Sequence, residues 1–213
     1  MIRFGGVLLC LLGLAWSCSN QGDPAVISRN QQGACDWCGA QDAPDNPPSS
    51  IQIAGQEEPG ERMVITGQVL QPDGQTPAPN ILVYAYHTNA QGRYPSDSSR
   101  LDKASRHGYL RGWMRTDAEG RFQFSSIRPA PYPSHAEPAH IHFTLTGPDF
   151  PEYWLSATWF AGDTLISEEL LAKVERPGGP SNIISLTQDS AGTWRGHHVL
   201  VLDSLLSKKT LSY

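Results

Sequence analysis

Pro138-Ala139-His140-Ile141-His142-Phe143-Thr144-Leu145-Thr146, closed by Gly147-Pro148, is the stretch that decides the fold. From Ala139 onward, apolar and polar residues alternate without exception. Successive side chains of a strand point to opposite faces. Ile141 and Phe143 therefore face a core, and His140 and His142 share the opposite face. Outward from this strand, further runs rich in β-formers cover residues 63–70 and 81–87. Residues 112–116 and 121–124 flank Asp117-Ala118-Glu119-Gly120 and predict a hairpin. Residues 154–160, 183–187 and 193–202 complete the strands. The only convincing helix is 167–175, with Ser167 as N-cap and Glu168 and Glu169 in the first turn. The sum is an all-β chain, a β-sandwich of seven to eight mostly antiparallel strands with long loops and one short helix.

Composition agrees. The 213 residues include 20 Gly and 17 Pro, which punctuate strands and loops, and only 17% are charged. That charge content argues against a coiled coil or a long acidic tail. The net charge is -5 and the basic residues are scattered, so no nucleic-acid groove is expected.

The N-terminus places Arg3 before an apolar run from Val7 to Trp16, too short to span a bilayer as a mature helix. Ala15-Trp16-Ser17-Cys18 then fits a bacterial lipoprotein signal. Residues 1–17 are expected to be removed, with Cys18 the lipidated first mature residue. Removal takes one basic and no acidic side chain, so the lipid rather than a basic surface is the expected membrane contact. Residues 18–50 read as a polar tether, with the domain at 51–213. The tether holds Cys35 and Cys38. No second pair supports a zinc site and no βαβ context supports a thioredoxin site, so a small local disulfide is expected, free or redox-active thiols being the alternative.

Two long loops carry the remaining candidates. Residues 88–106 hold Tyr94 in Gly92-Arg93-Tyr94-Pro95, and the Pro-rich 129–138 loop holds Tyr132 in Pro131-Tyr132-Pro133. Loops of such length in compact domains are usually functional. The flanking prolines restrict the backbone and could aim the Tyr132 phenol. Taken singly, each tyrosine also fits a packed ring with its hydroxyl in water, and the His-x-His pair fits a surface strand as well as half a metal site.

Together these segments resemble one family. Asn89-Ala90-Gln91-Gly92-Arg93-Tyr94, then 115–122, then Ile127-Arg128-Pro129-Ala130-Pro131-Tyr132-Pro133, then Pro138-Ala139-His140-Ile141-His142-Phe143, then Phe160-Ala161-Gly162-Asp163 are similar, in order, to the intradiol ring-cleavage dioxygenases. The similarity runs from about Gly67 to Asp163 and implies a β-sandwich. It also implies a non-haem Fe(3+) held by Tyr94, Tyr132, His140 and His142. Ferric iron is hard and favours anionic oxygen, and coordination lets a phenol ionise far below its free pKa of about 10. The implied reaction inserts oxygen from O2 between the two hydroxyl-bearing carbons of a catechol, giving a cis,cis-muconate. Tyr132 would leave the iron when substrate binds and take a substrate proton, making it ligand and catalytic base in turn.

Three positions depart from the family pattern. Glu137 stands where members carry Arg, Ala157 where they carry Gln, and Ser134 where protocatechuate enzymes carry Trp. A carboxylate close to a bound dianion is unfavourable by roughly several kcal/mol if desolvated. Two alternatives follow: an iron- or phenol-binding sandwich without ring cleavage, and a Cna-B or carboxypeptidase-regulatory-like surface module. On the last strand, adjacent His197 and His198 point to opposite faces, one exposed and one packed. His107 and His135 lie in loops near the expected site mouth. The expectation is thus an extracytoplasmic, lipid-anchored dioxygenase taking a catechol-like small molecule and O2.

Overall fold

The computed structural model describes residues 38–96, 103–173 and 182–207. The leader, Cys18 and Cys35 lie outside the described residues. Two mixed sheets face each other. The first has the order β1 (Ser50–Gln52), β5 (Arg121–Ile127), β2 (Arg62–Leu70), β11 (Trp194–Val201) and β10 (Thr187–Gln188). The second runs β4 (Arg111–Arg115), β3 (Leu82–His87), β6 (His140–Gly147), β8 (Thr158–Phe160) and β9 (Ile183–Ile184), and β7 (Phe150–Trp154) also pairs with β6. Most pairings are antiparallel; β1–β5, β2–β11 and β8–β9 are parallel. The one α-helix, α1 (Glu168–Lys173), begins after Ser167, whose Oγ accepts from Leu170 N at 3.1 Å.

The main core fills the space between the sheets. Met63, Ile65 and Val69 of β2, Phe122 and Phe124 of β5, and Leu200 of β11 meet Val83 and Ala85 of β3 and Ile141, Phe143 and Leu145 of β6. Alternation along each strand sends these side chains inward.

Three expected elements differ, the first being the expected strand 183–187, which is divided between β9 of the second sheet and β10 of the first. The 112–116 and 121–124 strands do not form a hairpin. Asp117 Oδ1 accepts from Glu119 N and Arg121 N, so the local turn is as expected. But β4 joins the second sheet and β5 the first. The turn spans the sandwich, letting Met114 and Phe122 enter one core from opposite sides. The expected strand 154–160 is split into β7 and β8. Thr144 pairs with Trp154, but Ile141 pairs with Thr158, so one extra residue sits opposite β6 around His142. An extra residue in one strand bends the ladder and re-aims nearby side chains.

Part of the expected tether is packed. Cys38 is buried and disulfide-bonded. Gly39 N and Ala40 N donate to Glu152 Oε1 at 3.1 and 3.0 Å, and Trp113 Nε1 donates to Gly39 O at 2.7 Å. Glu152 also accepts from Thr144 Oγ1, and burial raises its pKa. A carboxylate that takes two backbone N–H groups holds a polar segment with no help from hydropathy.

Two buried histidines link the sheets. His87 of β3 donates from Nδ1 to its neighbour's Thr88 O at 2.7 Å, which leaves Nε2 to accept from Ser126 Oγ of β5 at 2.8 Å. Thr158 Oγ1 of β8 lies 2.9 Å from His198 Nε2 of β11, while His197 is exposed as expected. Burial pushes His87 and His198 down to about 4 from 6.5. The unfolded chain then binds more protons between those values, so both contributions are complete above pH 6.5 and fade as pH falls toward about 4. Each tenfold drop in proton affinity is worth about 1.4 kcal/mol. Urea unfolding at neutral pH and near pH 5 should show a marked loss of stability. The loss should be smaller in a His87→Gln/His198→Gln double variant. An equal loss in both proteins would mean other groups drive it.

Candidate metal centre

Tyr94, Tyr132, His140 and His142 meet at one end of the second sheet. Tyr94 and Tyr132 hydroxyls are 2.7 Å apart, Tyr132 Oη is 3.2 Å from His140 Nε2, and His140 Nε2 is 2.9 Å from His142 Nε2. β6 supplies both imidazoles from its outer face, with Ile141 and Phe143 buried behind them.

The phenols come from two loops tied together. Asn89 Oδ1 accepts from Gln91 N and Arg93 N, closing the turn before Tyr94. Thr88 Oγ1 donates to Ala130 O at 2.7 Å, and Ala130 N donates to Asn89 O at 3.2 Å. Gly92, at φ +70°, lets its loop lie against Pro131 O, where a Cβ would sit 2.0 Å from that oxygen. Asp163 holds the start of β6, its Oδ2 accepting from Ala139 N at 3.0 Å.

Hydrogen-bond directions follow from the partners. A carbonyl oxygen only accepts, so His140 Nδ1 donates to Pro138 O at 2.7 Å. In the neutral ring, Nε2 is then a bare lone pair. The hydrogen bond between the two phenols lowers the Tyr132 pKa and raises that of Tyr94. Burial is the first cause raising both phenols, so without a cation both are neutral near pH 7. Burial, then the neighbouring imidazoles of His140 and His107, pushes His142 down to about 3.

The donor set suits a hard cation. Two imidazoles pointing their Nε2 atoms at each other at 2.9 Å, with two phenol oxygens alongside, form a cluster of four donor atoms. Among the described residues, no three His, Cys, Asp or Glu side chains gather to hold a metal. The two phenols add oxygen donors to the imidazoles, and phenolate oxygen favours hard cations.

The sequence reading missed the wall behind His142. Tyr86 of β3 stacks between His142, at 4.6 Å between centroids, and His107, at 4.0 Å. His107, carried by the Lys103–His107 turn, sits with Nδ1 2.8 Å from Tyr84 Oη, and Trp154 packs edge-on to all three rings. The signal was there: in 83–86 the period of two puts Tyr84 and Tyr86 opposite Val83 and Ala85. His107 is thus a wall residue, whereas His135 is exposed in its loop at φ 54°. Among the departing positions, Glu137 Oε2 lies 3.8 Å from His140 Nε2. Ser134 Oγ accepts from Ala136 N, and Ala157 O accepts from Asn182 Nδ2.

The geometry thus gives a β-sandwich with two phenols and two imidazoles gathered at one sheet end. Comparisons with known proteins place it more narrowly. A family model described as Dioxygenase matches residues 39–192. The protocatechuate 3,4-dioxygenase beta chain of Burkholderia cepacia is 40% identical over 114 residues, covering 51% of this chain and 48% of that one. Catechol 1,2-dioxygenase 2 of Acinetobacter lwoffii is 36% identical over 109 residues, 44% of this chain and 38% of that one. The chain thus spans about half or less of the length of these curated relatives. Two solved structures share the fold. One is the dioxygenase domain of a dioxygenase carbohydrate-binding protein fusion from Streptomyces sp. SirexAA-E (TM-score 0.55, 22% identity, 75% of this chain and 90% of that one). The other is 3-chlorocatechol 1,2-dioxygenase from Rhodococcus opacus 1CP (TM-score 0.58, 22% identity, 75% and 66%). The chain belongs to the intradiol ring-cleavage dioxygenase family, whose members use non-haem iron. The surface-module alternative is set aside by that match.

Proposed function

We propose that this chain is an intradiol dioxygenase that opens a catechol-like ring between its two hydroxyl-bearing carbons with O2, using iron held by Tyr94, Tyr132, His140 and His142. The observation that carries the reading is the convergence of these four donors, each within 3.2 Å of the next. Ferric iron, when bound, supplies Lewis acidity that ionises the phenols and draws electron density from the ring. Every other role falls to the chain. His140 is held to one tautomer by Pro138 O, so its Nε2 stays free as a donor to the metal. His142 resists protonation because of its packing, so it stays a neutral ligand well below pH 7. Tyr132 sits between Tyr94 and His140 on a loop of its own, and its phenol oxygen would take a proton from an incoming catechol. Tyr86, His107 and Trp154 form an aromatic wall behind His142.

Oxygen uptake by the iron-loaded full chain tests the reading. One O2 consumed per catechol, with a ring-opened dicarboxylate as product, is expected. Iron and catechol bound without oxygen uptake would leave a binding protein.

We further propose that the protein is an extracytoplasmic lipoprotein anchored through Cys18. The leader pattern supports this, and among the described residues no helix is long and apolar enough to cross a membrane. Failure of Cys18 to take up a radiolabelled fatty acid in a bacterial host would sink that proposal.

A further inference from the structure

Glu137 is carried by the segment that joins two of the four donors, five residues after Tyr132 and three before His140. That segment is fixed at both ends. His135 N donates to Tyr132 O at 2.8 Å, and Ala139 N is held by Asp163. Glu137 Oε2 lies 3.8 Å from His140 Nε2, with its side chain 41% exposed. Among the described residues no Lys or Arg lies within ion-pair distance of it. Its charge falls on the phenols of Tyr86, Tyr94 and Tyr132. The Arg106 charge also falls on Tyr86, where it outweighs that of Glu137, and on His107. The mouth of the donor cluster therefore carries a carboxylate with no Lys or Arg ion-pair partner among the described residues.

We infer that Glu137 sets which ring substituent the site accepts: catechols with an ammonium-bearing side chain bind better than neutral ones, and carboxylated catechols are disfavoured. This rests on the catechol-binding reading above. A catechol seated at the cluster brings its ring beside Glu137, because the carboxylate lies within 4 Å of a donor atom. An ammonium group supplies a cationic partner that no described residue does. A carboxylate adds like-charge repulsion at short range. The half-exposed position screens both effects, so each step of charge should change affinity about fivefold to tenfold at low salt, less at high salt.

The test uses the iron-loaded full chain, titrated with 4-ethylcatechol, dopamine and 3,4-dihydroxyphenylacetate, three catechols of similar size and different charge. Kd is read from the shift in visible absorption. Dopamine is expected to bind tightest and the carboxylate weakest. Glu137→Gln should bring the three affinities together, and Glu137→Arg should invert the order. The resting spectrum and iron content should be unchanged in both variants. Equal affinities in the parent protein, or the same order kept in Glu137→Gln, overturn the inference while leaving ring cleavage standing. A shifted resting spectrum with iron lost from Glu137→Gln would make the carboxylate a metal ligand and overturn it too. No response to any of the three overturns the catechol reading itself, and this inference with it.

Discussion

His142→Ala is expected to lose iron almost completely while the sandwich stays folded. His142 Nε2 is one of two imidazole donors, and packing keeps it unprotonated down to about pH 3, so it is available to a metal across the neutral range. Altering a residue outside the ligand set typically costs roughly 10–100-fold in metal affinity, and removing a ligand should cost more. The ring lies on the outer face of β6, away from Ile141 and Phe143, so the main core is untouched. Tyr86 and Trp154 lose a stacking partner, which limits the stability cost to about 1–2 kcal/mol. Tyr132→Phe should act in the same direction, since it removes the oxygen between Tyr94 and His140. Iron per chain after dialysis against a chelator, with a thermal melt, checks both. A variant that kept a full iron complement and the parent colour would show that the ligand set is wrong.

Gly92→Ala is expected to be the most damaging single methyl in the site. At φ +70° a non-glycine residue costs roughly 1–2 kcal/mol from backbone sterics. In addition, the new Cβ would lie 2.0 Å from Pro131 O, next to Tyr132 in the chain. One loop must move, and the 2.7 Å contact between the phenols opens as it does. Stability should fall by about 2–4 kcal/mol and iron retention with it. Gly74→Ala is the control, since it has the same φ with open space around it and should cost stability alone. Equal iron retention in the two variants would mean that the loops are not coupled.

The parts of this molecule that strand alternation controls could be read from sequence. Period two placed Ile141 and Phe143 in the core and both imidazoles on the other face, and the structure agrees. The same rule foresaw one exposed and one buried ring at His197 and His198. What failed were features set by long-range pairing. Asp117-Ala118-Glu119-Gly120 makes its turn as expected, but nothing in the turn says whether the next strand joins the same sheet. Here β5 pairs with β2, a partner far away in sequence. The break between β7 and β8 lies opposite His142, and no local residue marks it. Residues 38–50 read as tether because their anchors are backbone N–H groups on Glu152, which hydropathy does not register. Of the centre, the four donor positions could be listed from family motifs. Their mutual distances and the Tyr86–His107 stack could not, because His107 arrives on a separate turn.

The most direct test of the central claim is the visible absorption spectrum of the full chain with iron analysis, recorded after ferric reconstitution and again after adding catechol. The account predicts near-stoichiometric iron, a tyrosinate-to-iron charge-transfer band, and a shift of that band with catechol. A chain that stays colourless and iron-free after reconstitution would contradict it, leaving Tyr94, Tyr132, His140 and His142 as neighbours on a sandwich that holds no metal.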